Sequence, residues 1–144
     1  MSLSTALIAV GVLLAVAVGA GILWRVLDGR RRGGKGRRIP LADLSVSGFA
    51  PVATLVLFST ETCARCPHVR RMLREIADAS DGVQQVDVDL THRVDLASRH
   101  GILQTPTTFI VGSDGAVLAR FAGVPRRADI EDALPSSAPV LEPR

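Results

Sequence analysis

The sequence predicts an α/β domain, a mixed sheet with helices on both faces, carried behind one transmembrane helix. Three observations predict it: an uncharged apolar run near the N-terminus, a strand–helix–strand pattern from Ala53 to Leu90, and a strand–turn–strand pattern followed by helical spacing through Leu134. At 144 residues the chain has room for one compact domain and an appendage. Its 47% hydrophobic fraction is unevenly spread, so composition is read by segment.

Ala6 to Trp24, ALIAVGVLLAVAVGAGILW, is a run of about 19 residues that spans roughly 28 Å as a helix, close to the hydrocarbon thickness of a bilayer. A cleavable signal peptide is the rival reading, with Val18-Gly19-Ala20 as its cleavage site. Against it, MSLST offers no basic leader and the run exceeds a usual signal core. Trp24 ends the run, where an amphipathic ring favours the lipid–water interface. Gly11, Ala15 and Gly19 recur at every fourth position, a spacing that admits a second helix but is also common in lone spans. The anchor is therefore set at 1–24.

A basic linker, 25–40, follows. Arg25, Arg30, Arg31, Arg32, Lys35, Arg37 and Arg38 stand against the single acid Asp28, whereas Ile39 to Arg144 has ten basic and thirteen acidic residues. The formal charge of +3 is thus a property of the linker. Without interleaved aromatics, and set against a membrane, the cluster does not suit nucleic acid. It suits anionic head groups, at roughly 1 kcal/mol per basic residue, and it retains its end of the span in the cytoplasm. The reading is a single-pass plasma-membrane protein with the domain on the cytoplasmic side; the alternative is the extracytoplasmic side. Gly-rich composition makes the linker a flexible spacer.

The domain is assigned to 41–134. ATLVLFS, Ala53 to Ser59, is a continuous run of strand formers, as in strands covered on both faces. From Cys63 to Ala79, Val69, Met72, Leu73, Ile76 and Ala79 fall on one helical face with charges between them. Val83, Val86 and Val88 carry a second strand over Gly82 to Leu90, parallel to the first because a helix joins them. Val94 to His100 fits a short helix. Thr107 to Val111 and Ala116 to Phe121 flank a turn at Gly112-Ser113-Asp114-Gly115 and form an antiparallel hairpin. Ala128, Ile130, Ala133 and Leu134 restore helical spacing. The tail, 135–144, is Pro-rich and expected to be disordered.

Both cysteines lie in FSTETCARCPHVRRML, at the junction of the first strand and its helix. A thiol at a helix N-terminus meets unpaired N–H groups and the positive end of the dipole, which lower its pKa from about 8.5 and favour the attacking thiolate. Cys63 then attacks a disulfide and Cys66, one turn further in, resolves the mixed disulfide. Facing the cytosol, an ordinary structural disulfide would be kept reduced, which leaves catalysis or metal binding. Zinc would need two more ligands, and His68, His92 and His100 stand at no familiar spacing. Metal handling by the two thiols alone, or an inert pair in a scaffold module, stays open as an alternative.

The run LVLFSTETCARC with its helix, then VDVDL, TPT and a hairpin ending at Gly123, resembles the thioredoxin family over most of Ala53 to Leu134. The resemblance implies a thioredoxin-like fold with a mixed four-stranded sheet flanked by helices. It implies a thiol–disulfide oxidoreductase with Cys63 as nucleophile and Cys66 as resolving cysteine. It further implies a cis Thr105–Pro106 bond, with Thr105 and Pro106 receiving the substrate backbone. No cofactor is implied beyond the pair, and no metal. The implied partners are a disulfide-bearing protein or small-thiol substrate and an electron-donating reductase. Departures are visible too. The residues around and between the cysteines are Thr62, Ala64 and Arg65 where that family's thioredoxins usually carry Trp, Gly and Pro, and the family's buried acid and neighbouring lysine correspond to Leu57 and Gln85. Arg65 places a positive charge near Cys63, which stabilises the reduced form and makes the couple more oxidising. Asp87 and Asp89 read as strand-end polarity, and Glu61 as a solvated loop residue.

Overall fold

The computed structural model describes residues 3–27, 31–33 and 36–136. In chain order the elements are α1 (Leu3–Leu27), β1 (Arg31–Gly33), α2 (Leu41–Leu44), β2 (Ala53–Ser59), α3 (Cys66–Asp78), β3 (Val83–Asp89), α4 (Val94–His100), β4 (Thr107–Val111), β5 (Val117–Ala122) and α5 (Arg127–Glu131). The sheet order is β1-β5-β4-β2-β3. β2 and β3 are parallel, while β4 runs antiparallel to β2 and β5 antiparallel to β4. The four long strands form the expected mixed sheet.

β2 is the centre, and all seven of its residues are buried. Because side chains alternate along a strand, β2 feeds two cores. Ala53, Leu55 and Leu57 meet Val69, Leu73 and Ile76 of α3 and Ile130 of α5 on one face. Val56 and Phe58 meet Leu44 of α2, Leu96 of α4 and Phe109 on the other. Hence the continuous apolar run of the sequence: a strand covered twice has no polar face.

Three differences from the sequence reading have physical causes. α3 begins at Cys66 rather than Cys63, with Pro67 in its first turn, where a missing N–H costs no helical bond. α5 stops at Glu131, yet hydrogen bonds from Leu134 N–H to the carbonyls of Ile130 and Glu131 carry the turn onward. The largest difference concerns the segment read as a flexible spacer. Its residues Arg31–Gly33 pair antiparallel with β5, in the register Arg31 with Phe121 and Gly33 with Ala119. Beyond, Val117 N–H donates to Arg37 C=O, Arg38 bridges Ala116, and Ile39 N–H donates to Gly115 C=O at 2.9 Å. Backbone pairing needs no apolar pattern, so a Gly/Arg-rich composition did not disclose it. The tail from 137 lies outside the described residues.

α1 is the apolar helix. Ser4 to Trp24 is long and apolar enough to cross a membrane, and none of it is buried against the rest of the chain. A helix apolar on all sides belongs either inside a protein or in lipid.

Candidate active site

β2 delivers the chain to one end of the sheet at Ser59, and turns over Thr60–Arg65 return it into α3. Two backbone bonds fix this return: Cys63 N–H to Thr60 C=O at 3.1 Å, and Cys66 N–H to Cys63 C=O at 3.2 Å. Cys63 and Cys66 form a disulfide with Cα atoms 5.4 Å apart. The two sulfurs are not equivalent. Cys63 is half-buried at the surface, whereas Cys66, the first residue of α3, is only 1% exposed. Arg65 is exposed and stands at the N-cap position of α3.

The Thr105–Pro106 peptide bond is cis, and Pro106 is buried. β4 starts one residue later at Thr107, whose partner across the sheet is Phe58 of β2, so this loop and the cysteine loop leave the same end of the sheet. Thr60 Oγ1 and Thr105 Oγ1 share a hydrogen bond at 3.3 Å, which joins the two loops. Pro106 C=O accepts from Gly123 N–H at 2.8 Å.

A cleft of about 250 Å³ opens beside the disulfide, lined by Ser59, Glu61, Cys63, Cys66, Arg70 and Asp87 among others. Sequence reasoning missed Ser59 and Arg70 here and took Asp87 for strand-end polarity. Asp87 lies beside Leu57 in the parallel register of β2 and β3. Its carboxylate accepts from Ser59 Oγ at 2.7 Å and pairs with Arg70 Nε, and this carboxylate raises the Arg70 guanidinium above its ordinary pKa. The available signal was helical: Arg70 is four residues past Cys66 and so shares its face. Leu57 is wholly buried in the α3-side core, and Gln85 Oε1 accepts from Arg74 at 3.4 Å.

Asp89, at the rim, accepts from the Thr91 hydroxyl and backbone N–H, which hold its carboxyl below the usual range. His68 and His92 are exposed, and His100 is buried on the other side of the sheet against Phe58. Among the described residues no three His, Cys, Asp or Glu side chains converge on one point.

The thioredoxin family model matches residues 49–136. No curated protein matches the chain. Among solved structures, the thioredoxin of Trichomonas vaginalis superposes with a TM-score of 0.51 at 28% identity, covering 58% of this chain and 78% of that one. Mitochondrial thioredoxin 3 of Saccharomyces cerevisiae, in its oxidized form, gives 0.50 at 21% identity over 57% and 76% of the two chains. A malarial protein gives 0.51 at 17% identity over 57% and 92%. The last two likenesses are of fold. A family match over the whole dithiol-bearing domain, on a sheet of this order, says what the chain is: it belongs to the thioredoxin family, as a thiol–disulfide oxidoreductase.

Proposed function

We propose that the protein is a membrane-anchored thiol–disulfide oxidoreductase in which Cys63 is the nucleophile and Cys66 the resolving cysteine. The observation that carries this reading is the unequal exposure of the two cysteines, Cys63 half-buried in the loop just ahead of α3 and Cys66 buried as its first residue. A substrate sulfur can reach Cys63, and the helix terminus and Arg65 stabilise negative charge on it. The Cys63 thiolate attacks one sulfur of a substrate disulfide, forming a mixed disulfide and releasing the other sulfur as a thiolate that takes up a proton. Cys66, giving up its own proton, then attacks Cys63 Sγ and expels the second substrate thiolate. The substrate gains two electrons, and the enzyme ends as the Cys63–Cys66 disulfide. An electron-donating dithiol reductase restores the pair. Thr105 and Pro106 present backbone to the substrate chain beside this centre, and Arg65 tunes the couple.

Ser4–Trp24 serves as the anchor, and the basic residues that follow it favour a cytoplasmic domain. Two measurements test the reading. Cys63→Ser should abolish reduction of an insulin-type disulfide, while Cys66→Ser should accumulate the mixed disulfide on Cys63. A wild-type protein that exchanges with no dithiol would sink the proposal. For sidedness, a membrane-impermeant thiol reagent should leave the reduced domain unlabelled in intact cells, and labelling would place it outside.

A further inference from the structure

The strand register relates the membrane helix to the redox centre. β2 ends at the cysteines; β4 begins at that same end; β5, antiparallel to β4, finishes there with Ala122 opposite Thr107. β1 runs antiparallel to β5, so its first residue, Arg31, opposite Phe121, also lies at the redox end, and its last, Gly33, points away. The chain thus enters the sheet at the end that carries Cys63 and Cys66. Three inter-strand steps, roughly 14 Å, separate β1 from β2.

Only three residues lie between Leu27, the last of α1, and Arg31. Fully extended, they reach about 14 Å. Since the apolar span closes at Trp24, three helical residues before Leu27, the entry point of β1 is held within about 19 Å of the lipid surface. The hairpin turn at Gly112–Gly115 lies at the far end of the sheet, about 15 Å or more along the strands. The chain then continues away from the entry point, along β5, through Arg38 and Ile39. Arg25, Arg30, Arg31 and Arg32 fall at the membrane exit in sequence, where anionic head groups favour them.

We infer that the redox end of the domain faces the bilayer, and that its partner is a membrane-embedded protein whose disulfide or dithiol lies at the membrane surface. This rests on the anchored reading above. A domain on a free tether would sample soluble substrates in all directions, whereas one strapped along β5 presents its cleft to the surface it is tied to.

The test uses the full chain in vesicles of phosphatidylcholine with a minority of phosphatidylglycerol and nitroxide-labelled head groups. Fluorophores are placed at Thr62→Cys, beside the redox pair, or Ser113→Cys, on the far turn, each with Cys63→Ser and Cys66→Ser. Both positions are exposed. The label at position 62 should be quenched several-fold more than that at 113; equal quenching, or the reverse, overturns the orientation. Flotation separates the two claims. A chain that does not float with the vesicles overturns the anchor and this proposal together, while one that floats with the reversed pattern overturns the orientation alone. Independently of labelled variants, the reduced wild-type chain should reduce a disulfide peptide held to lipid by a short linker at least as fast as one on a long linker. Reaction with the long linker alone would overturn the proposal.

Discussion

His100 is a polar residue inside an apolar core, and its environment explains how it can stay there. Its side chain is 3% exposed, packs beside Phe58, and its Nε2 lies 2.8 Å from Oδ2 of Asp43, itself 8% exposed. Arg99 Nη1 binds the other carboxylate oxygen at 2.7 Å. Asp43 therefore spans α2 and α4. Asp43→Ala leaves His100 without its side-chain partner and should destabilise the domain by about 1–3 kcal/mol in urea unfolding. At the redox centre, Arg65→Gly should shift the potential of the pair to more negative values. The exposed charge is worth about 0.5–1 kcal/mol, so the shift should be about 10–20 mV. Equilibration with a glutathione or dithiothreitol buffer reads it, and an unchanged potential would remove Arg65 from the tuning of the couple. The sign follows because the guanidinium favours the thiolate of the reduced form.

At the level of elements, the segment ahead of the domain is built into it. Ile39 is 2% exposed and packs with Val56, Phe109 and Val117 in the core shared with α2 and α4. Its backbone passes so close to Gly115 that a Cβ there would come within 3.1 Å of Ile39 C=O, and Gly115 also has φ +81°. Ile39→Ala should lower stability by about 2–5 kcal/mol, the usual range for removing a buried aliphatic side chain. Chemical denaturation checks it, and a loss under about 1 kcal/mol would mean that this segment is not part of the cooperative unit. Gly115→Ala should destabilise as well, through both the positive φ and the close approach.

For the whole molecule, acid should be the destabilising direction. Asp89, Asp95 and Asp129 all have carboxyls held below the ordinary value of 3.8, by hydrogen bonds from Thr91, Arg93 and Arg126 respectively before any other cause. A depressed folded-state pKa means stability that is present above the unfolded value and lost as pH falls through the folded one. The loss should therefore begin below about pH 4. Thr91→Val, which removes the hydroxyl donor to Asp89, should lower the thermal midpoint at pH 7, where Asp89 is charged, and leave it little changed well below the carboxylate range, where Asp89 is protonated in both states. A midpoint unmoved at pH 7 would discard the role given to that hydrogen bond.

Much of the fold was legible because burial leaves periodic marks. A strand covered on both faces must be apolar throughout, as in ATLVLFS, and a helix covered on one must repeat its apolar residues as Val69, Leu73 and Ile76 do. The dithiol and the proline loop were legible as short motifs, since their chemistry resides in the residue types themselves. Sequence alone thus determined an apolar span, a mixed sheet with helices on both faces, and a Cys63–Cys66 pair at a strand–helix junction. Tertiary structure decided what depends on pairing between distant segments: the placement of Ser59, Arg70 and Asp87 in one cleft, the burial of His100 on Asp43, and the docking of Arg31–Gly33 on β5. Backbone hydrogen bonds and cross-strand neighbours form between residues far apart in the chain, and no local period records them.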